Sequence, residues 1–265
     1  VSEVPVLLQG KTVIVSGVGA GLGQQVAAAV VRDGGNAVLG ARTEANLAKS
    51  AAEIDPDGEH TAYKATDITD ERQCEALAAL AVEKFGRLDA VIHVAAWDSY
   101  FGGLQDADFE TWMGVIDTNL LGTLRMTRAC LPALKERGGS VVIVGTQSSI
   151  ASPTQVKQAA YAASKGALTS TMYSLAREIG PDRIRVNTVL PGWMWGPPVE
   201  AWVQFTAHTE GAPEDEVKKR LTSRMALPDL ATDGDVADAC VFFASDRARA
   251  ITGQQLLVNA GEIMR

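Results

Sequence analysis

TVIVSGVGAGLG (Thr12–Gly23) is the stretch on which the fold turns. Thr12–Ser16 is a short apolar run rich in β-branched side chains, the pattern of a buried strand. Leu22–Arg32 is rich in alanine and valine and predicts a helix. Between them Gly17, Gly21 and Gly23 stand at GxxxGxG spacing. Glycines let a chain turn sharply and bring its backbone against a pyrophosphate, which then faces the N–H groups of a helix start. A merely flexible turn would use glycine too. Its place after the first strand and before a helix favours phosphate binding, with Gly17, Gly21, Leu22 and Gly23 as the contacts.

The same strand–helix alternation continues outward. Ala37–Leu39, His60–Lys64, Ala90–Val94, Val141–Val144, Arg185–Val189 and Gln255–Val258 read as strands. Helical patterns fill Glu44–Ile54, Asp70–Phe85, about Asp108 to Glu136, about Ala160 to Ile179, and Asp235–Ala244. Continuous apolar strands are expected where both faces of a parallel sheet are covered. The chain therefore predicts one α/β domain over residues 1–265, a doubly wound parallel sheet with helices on both faces. Within it, residues 193–224 open on a Pro/Gly/Trp-rich loop and read as a mobile lid over a substrate.

Composition narrows the function. At 265 residues, 46% hydrophobic and 21% charged, the chain can bury a substantial core. A net charge of −8 argues against a nucleic-acid partner, which needs a basic face. Cys74, Cys130 and Cys240 are scattered without metal-ligand spacing, so no metal is expected and a reducing interior suits them. Val1–Gly10 lacks the charged-then-apolar pattern of a signal peptide, and no apolar run is long enough to span a membrane. A cytoplasmic location is the expectation.

The end of the second strand bears on the cofactor. An acid there would bind the ribose 2′-OH of NAD, whereas an arginine meets the 2′-phosphate of NADP. Leu39-Gly40-Ala41-Arg42 has no acid, and Arg42 follows at once, so NADP(H) is favoured with NAD(H) as the alternative.

Tyr161-Ala-Ala-Ser-Lys165 puts a phenol and an ammonium on one helix face. Two charges about 4.5 Å apart at an effective dielectric near 20 attract by about 4 kcal/mol. That is enough to bring a phenol from near 10 towards about 7, where it serves as an acid/base. A tyrosine packed on an aliphatic lysine stem is the bland alternative.

Taken together, the motifs resemble the short-chain dehydrogenase/reductase family over nearly the whole chain, in particular its 3-oxoacyl-ACP-reductase-like members. The matching pieces are the glycine turn at 17–23, Asp67-Ile68, Asn119-Leu-Leu-Gly122, Tyr161-xxx-Lys165, Arg185-Val-Asn187, Pro191-Gly192 and Ile251-Thr-Gly253, in the family's order. The resemblance implies a Rossmann-like sheet of about seven strands and Tyr161 as acid/base. It implies that Lys165 also holds the nicotinamide ribose, that Asn119 joins a proton relay, and that Asp67 and Ile68 lie beside the adenine. It also implies a homodimer or homotetramer built through the long helices. The family's substrate-binding hydroxyl falls on Ser148 when counted back from Tyr161 and on Thr146 when counted along the strand. Thr146 is slightly preferred, because a longer loop disrupts less than a bulge in a central strand. Ser149 is the bland loop residue.

Some positions depart from the family. His93-Val94-Ala95-Ala96 replaces its Asn-Asn-Ala-Gly, with Ala95 and Ala96 expected beside the cofactor and His93 read as a satisfied core histidine. Gly196 stands where a threonine is common, leaving Pro191, Gly192 and Met194 to orient the nicotinamide. Trp97, Tyr100 and Phe101, with Trp193, Trp195, Trp202 and Phe205, follow carboxyl ends of strands and read as an aromatic-walled pocket for a bulky, apolar alcohol or ketone. A hydrophobic hinge or subunit contact is the competing reading. The expected function is hydride transfer between a nicotinamide and an alcohol/ketone pair. The alternatives are an isomerase or dehydratase that retains NAD(P), and a non-catalytic dinucleotide sensor.

Overall fold

A computed structural model describes residues 6–153 and 156–265. Val1–Pro5, part of the stretch read for a leader, lie outside the described residues. Strands β1 (Thr12–Ser16), β2 (Asn36–Ala41), β3 (Thr61–Ala65), β4 (Ala90–His93), β5 (Gly139–Val144) and β6 (Ile184–Pro191) build a parallel sheet. Intervening helices are α1 (Leu22–Arg32), α2 (Glu44–Ile54), α3 (Glu71–Phe85), α4 (Phe109–Ile116), α5 (Thr123–Lys135) and α6 (Ala159–Glu178). After β6 come β7 (Met194–Trp195), α7 (Pro197–Glu210), α8 (Glu214–Thr222), β8 (Ala231–Thr232), α9 (Asp233–Ala244) and β9 (Gln255–Val258). The seven-stranded sheet runs β3-β2-β1-β4-β5-β6-β9, and β7 pairs only with β8. Strand order reverses between β1 and β4, which opens a crevice at their carboxyl ends.

Alternating side chains divide the core. Val13, Val15, Leu39 and Ile92 pack with α1 and α9 on one face. Ile14, Val38, Val91 and Ile143 pack with α3, α5 and α6 on the other. Each such side chain, fully buried, contributes roughly 1.5–3 kcal/mol. Both faces are covered, as the unbroken apolar strands require.

The expected elements are present, with two corrections. The stretch expected as one helix from about Asp108 is interrupted by a π-helical turn, Asp117–Gly122. The expected lid is not a loop, because α7 and α8 fill most of it and close on a small core of Val203, Ala207 and Val217. All three cysteines are free and buried. Among the described residues no helix is long and apolar enough to cross a membrane.

Candidate active site

Each assigned glycine answers a local demand. Gly17 and Gly21 have φ of +101° and +111°, where a side chain is strained. A Cβ on Gly17 would lie 2.2 Å from the Ala95 nitrogen, because the end of β4 passes directly beneath. One on Gly23 would lie 2.1 Å from the Gly17 carbonyl oxygen. Over Gly19 the space is open, and no side chain caps the start of α1 at Leu22. Such a cradle fits a dinucleotide pyrophosphate. The Gly17 and Val18 amides donate to the Gly40 carbonyl at 2.7 and 3.1 Å, which places the turn beside Arg42 at the end of β2. Arg42 is exposed and in no ion pair among the described residues. Asp233 departs from the expected chemistry. Its carboxylate lies 3.4 Å from where a Gly21 Cβ would stand, and burial raises its pKa.

Other residues expected on the cofactor side gather at the same edge. Asp67 accepts from the Thr69 amide and hydroxyl at 2.9 and 2.7 Å, and Ile68 is buried against Gly122. Val94 and Ala95 amides donate to the Ser16 carbonyl, leaving Ala96 exposed beyond them. Pro191 ends β6, the Gly192 amide donates to Val258, and Met194 pairs with Ala231 in the short ladder.

Tyr161 and Lys165 come from the first turns of α6, one helical turn apart. Lys165 is 2% exposed, and its ammonium donates to the Val144 carbonyl at 2.7 Å. Burial lowers its pKa to about 8, and the Asp98 carboxylate opposes the shift. Of the two hydroxyl candidates it is Thr146, not Ser148, that bears on the Tyr161 phenol, drawing its pKa down. Thr146 also accepts from the Ser148 amide at 3.2 Å, which fixes its hydroxyl. Asn119 sits on the π-helical turn, where an extra residue per turn re-aims side chains. It is fully buried, accepting from the Trp97 amide at 2.6 Å and donating to the Trp97 carbonyl and Ser164 Oγ at 3.1 and 2.9 Å.

A phenol, a hydroxyl and a buried ammonium thus meet beside a dinucleotide cradle. Residues 17–262 match the family profile described as Enoyl-(Acyl carrier protein) reductase. The chain belongs to the short-chain dehydrogenase/reductase family. It is 33% identical to the L-rhamnose 1-dehydrogenase (NAD(P)(+)) of Azotobacter vinelandii, over 96% of this chain and 97% of that one. To the L-fucose dehydrogenase of Bos taurus it is 31% identical, over 95% and 89%. A short-chain type dehydrogenase/reductase from Mycobacterium ulcerans superposes with a TM-score of 0.85 at 29% identity, covering 97% of this chain and 90% of that one. This short-chain dehydrogenase/reductase is accordingly an NAD(P)-dependent oxidoreductase.

Two expectations need correcting in this dehydrogenase/reductase. Lys165 does not pull the Tyr161 phenol down in the polypeptide alone. Burial first, then Asp98, pushes that phenol above its ordinary value, while the Thr146 side chain works the other way. The ammonium is turned onto Val144 and lies 5.9 Å from the ring centroid, so desolvation outweighs attraction. His93 is buried, as expected, but only half satisfied: Nε2 meets the Thr127 hydroxyl at 2.9 Å, and Nδ1 has no partner. Several of the aromatic side chains expected to wall a pocket have partners within the protein. Trp195 lies beneath the Lys218 ammonium at 3.9 Å, Trp193 and Trp202 pack at a tilt of 48° with ring centroids 5.1 Å apart, and the Tyr100 hydroxyl accepts from the Asp108 amide. Sequence reasoning missed Gln147 and Glu262, which no motif marks.

Proposed function

We propose that this enzyme moves a hydride between NAD(P) and the carbinol carbon of an alcohol/ketone pair, with Tyr161 exchanging the oxygen-bound proton. The observation that carries this reading is the meeting of the Tyr161 phenol, the Thr146 hydroxyl and the buried Lys165 ammonium at one edge of the sheet. A bound nicotinamide supplies the hydride site and, when oxidised, a positive charge.

The chain's own groups handle oxygen and proton. Thr146, held by the Ser148 amide, directs its hydroxyl at the substrate oxygen, where a developing alkoxide gains most from a fixed donor. In reduction the Tyr161 phenol gives its proton to that oxygen as the carbon takes the hydride. Oxidation reverses both transfers. With its pKa raised by the polypeptide, the phenol is protonated at neutral pH, the state that reduction requires. Lys165 presents a buried ammonium one helical turn from the phenol, where it would hold the ribose. Asn119 has its side chain committed to Trp97 and Ser164, so its part in a proton relay falls to the second lone pair of its backbone carbonyl, which also accepts from the Thr123 hydroxyl at 2.8 Å.

NADP(H) is the preferred cofactor in this reading, because Arg42 is free to meet a 2′-phosphate. A bulky, largely apolar ketone suits the exposed Trp97 and the exposed Phe205, which the 193–224 segment itself carries. A polyol substrate is the second reading. It is favoured by the Asp98 carboxylate, whose field reaches both Tyr161 and Lys165, and by relatives named for L-rhamnose and L-fucose. NAD(P)H absorbance against bulky ketones, alcohols and deoxysugars tests both. Turnover of none, with cofactor bound, would leave the sensor reading in its place.

A further inference from the structure

Three parts of this site converge on one carboxylate. Gln147 directly follows Thr146 and is buried. Its Oε1 accepts from Asn259 Nδ2 at 2.9 Å, and its Nε2 donates to Glu262 Oε2. The other carboxylate oxygen of Glu262 accepts from Arg224, where the 193–224 segment ends. Just beyond, the Ala226 and Leu227 amides donate to the Ala260 carbonyl at 2.9 and 3.0 Å. Gln147 also abuts the start of that segment. A Cβ on Gly192 would lie 2.8 Å from Gln147 Oε1 and 2.7 Å from Asn259 Cβ. The Glu262 side chain is only 10% exposed, so its charge-assisted bonds are little weakened by solvent.

We infer that Glu262 is a positioning residue that couples the seating of the 193–224 segment to the aim of the Thr146 hydroxyl. The inference rests on the reading of Thr146 given above. Both oxygens of one planar carboxylate are engaged, so the pull of Arg224 on Oε1 sets the plane in which Gln147 must meet Oε2. Gln147 is the chain neighbour of Thr146, whose hydroxyl already spends one lone pair on the Ser148 amide. When Arg224 moves away, Glu262 is freed to rotate, Gln147 loses its fixed acceptor, and the turn carrying Thr146 loosens. A closed segment therefore sharpens the hydroxyl's geometry, and an open one relaxes it.

Hydrogen exchange on the full-length, ligand-free protein tests this without any substrate, so its failure is separate from failure of the dehydrogenase reading. Arg224 has no described hydrogen bond to the Thr146 turn. Even so, Arg224→Met is expected to speed exchange at the Ser149 and Ile150 amides by about tenfold while β1 and β4 stay at wild-type rates. Reciprocally, Gln147→Ala is expected to speed exchange at 224–227. Arg224→Lys, which restores a cation, should return the turn towards wild-type rates. Unchanged exchange at Ser149 and Ile150 in Arg224→Met would refute the coupling. Uniform acceleration across the sheet would equally overturn it, by making the contact merely structural.

Discussion

At the scale of single residues, the phenol and the two hydroxyl candidates make distinct predictions. Tyr161→Phe is expected to lower kcat by more than about tenfold and leave cofactor affinity within a few-fold, since only the transition state uses the phenol proton. Thr146→Ala is expected to cost about a hundredfold in kcat and Ser148→Ala much less, because the Thr146 side chain bears on the phenol while Ser148 contributes an amide. Steady-state kinetics on the three variants decides this, and equal small losses at 146 and 148 would remove the oxygen-binding role from both. Arg42 carries the cofactor choice. A charged hydrogen bond to a 2′-phosphate contributes about 1.5–3 kcal/mol, a roughly ten- to hundredfold preference for NADPH. With Ala20 rather than a second cation in the turn and Asp233 nearby, the low end is expected. Arg42→Ala should abolish the preference and leave NADH binding unchanged in fluorescence titrations. Tighter NADH binding by the wild type would make Arg42 a surface residue.

At the scale of elements, β4 carries a cost that its sequence neighbours hide. The Thr127 hydroxyl donates to the Thr123 carbonyl at 2.8 Å, so its oxygen accepts from His93 Nε2–H. Nδ1 is then a buried lone pair, and burial followed by the Lys165 charge lowers the imidazole pKa from 6.5 to about 3. A folded-state value below the unfolded one means that the unfolded chain takes up the proton first. Stability is therefore whole above pH 6.5 and falls as pH drops from there towards 3. By pH 5 the loss is about 2 kcal/mol. Denaturant titrations at pH 7 and 5 should show it, and His93→Asn should remove most of it. An equal pH loss in that variant would assign the effect to other groups.

At the scale of the whole molecule, a second copy of the chain is expected on the α4–α6 side. Phe109 and Met113, four residues apart and so on one face of α4, are 64% and 63% exposed. Sedimentation is expected to give a homodimer or homotetramer, and Met113→Glu to shift it towards smaller species. A monomeric wild type at micromolar concentration would show that this surface serves some other purpose.

What sequence alone determined is whatever depends on local pattern. The period of the apolar residues set strands and helices, and β1, α1, α2 and β9 begin and end where the pattern placed them. The Tyr161/Lys165 spacing set one helix face, because a helix repeats every 3.6 residues. Gly17, Gly21 and Gly23 announced a turn that only glycine can make. Tertiary structure alone decided what depends on residues far apart in the chain. Thr146 rather than Ser148 bears on the phenol because α6 packs against the turn that follows β5, which no count along the chain can fix. The raised phenol and half-satisfied His93 arise from desolvation, a property of the surrounding atoms rather than of the sequence neighbours. Gln147 and Glu262 lie 115 residues apart. Only the folded chain closes that distance.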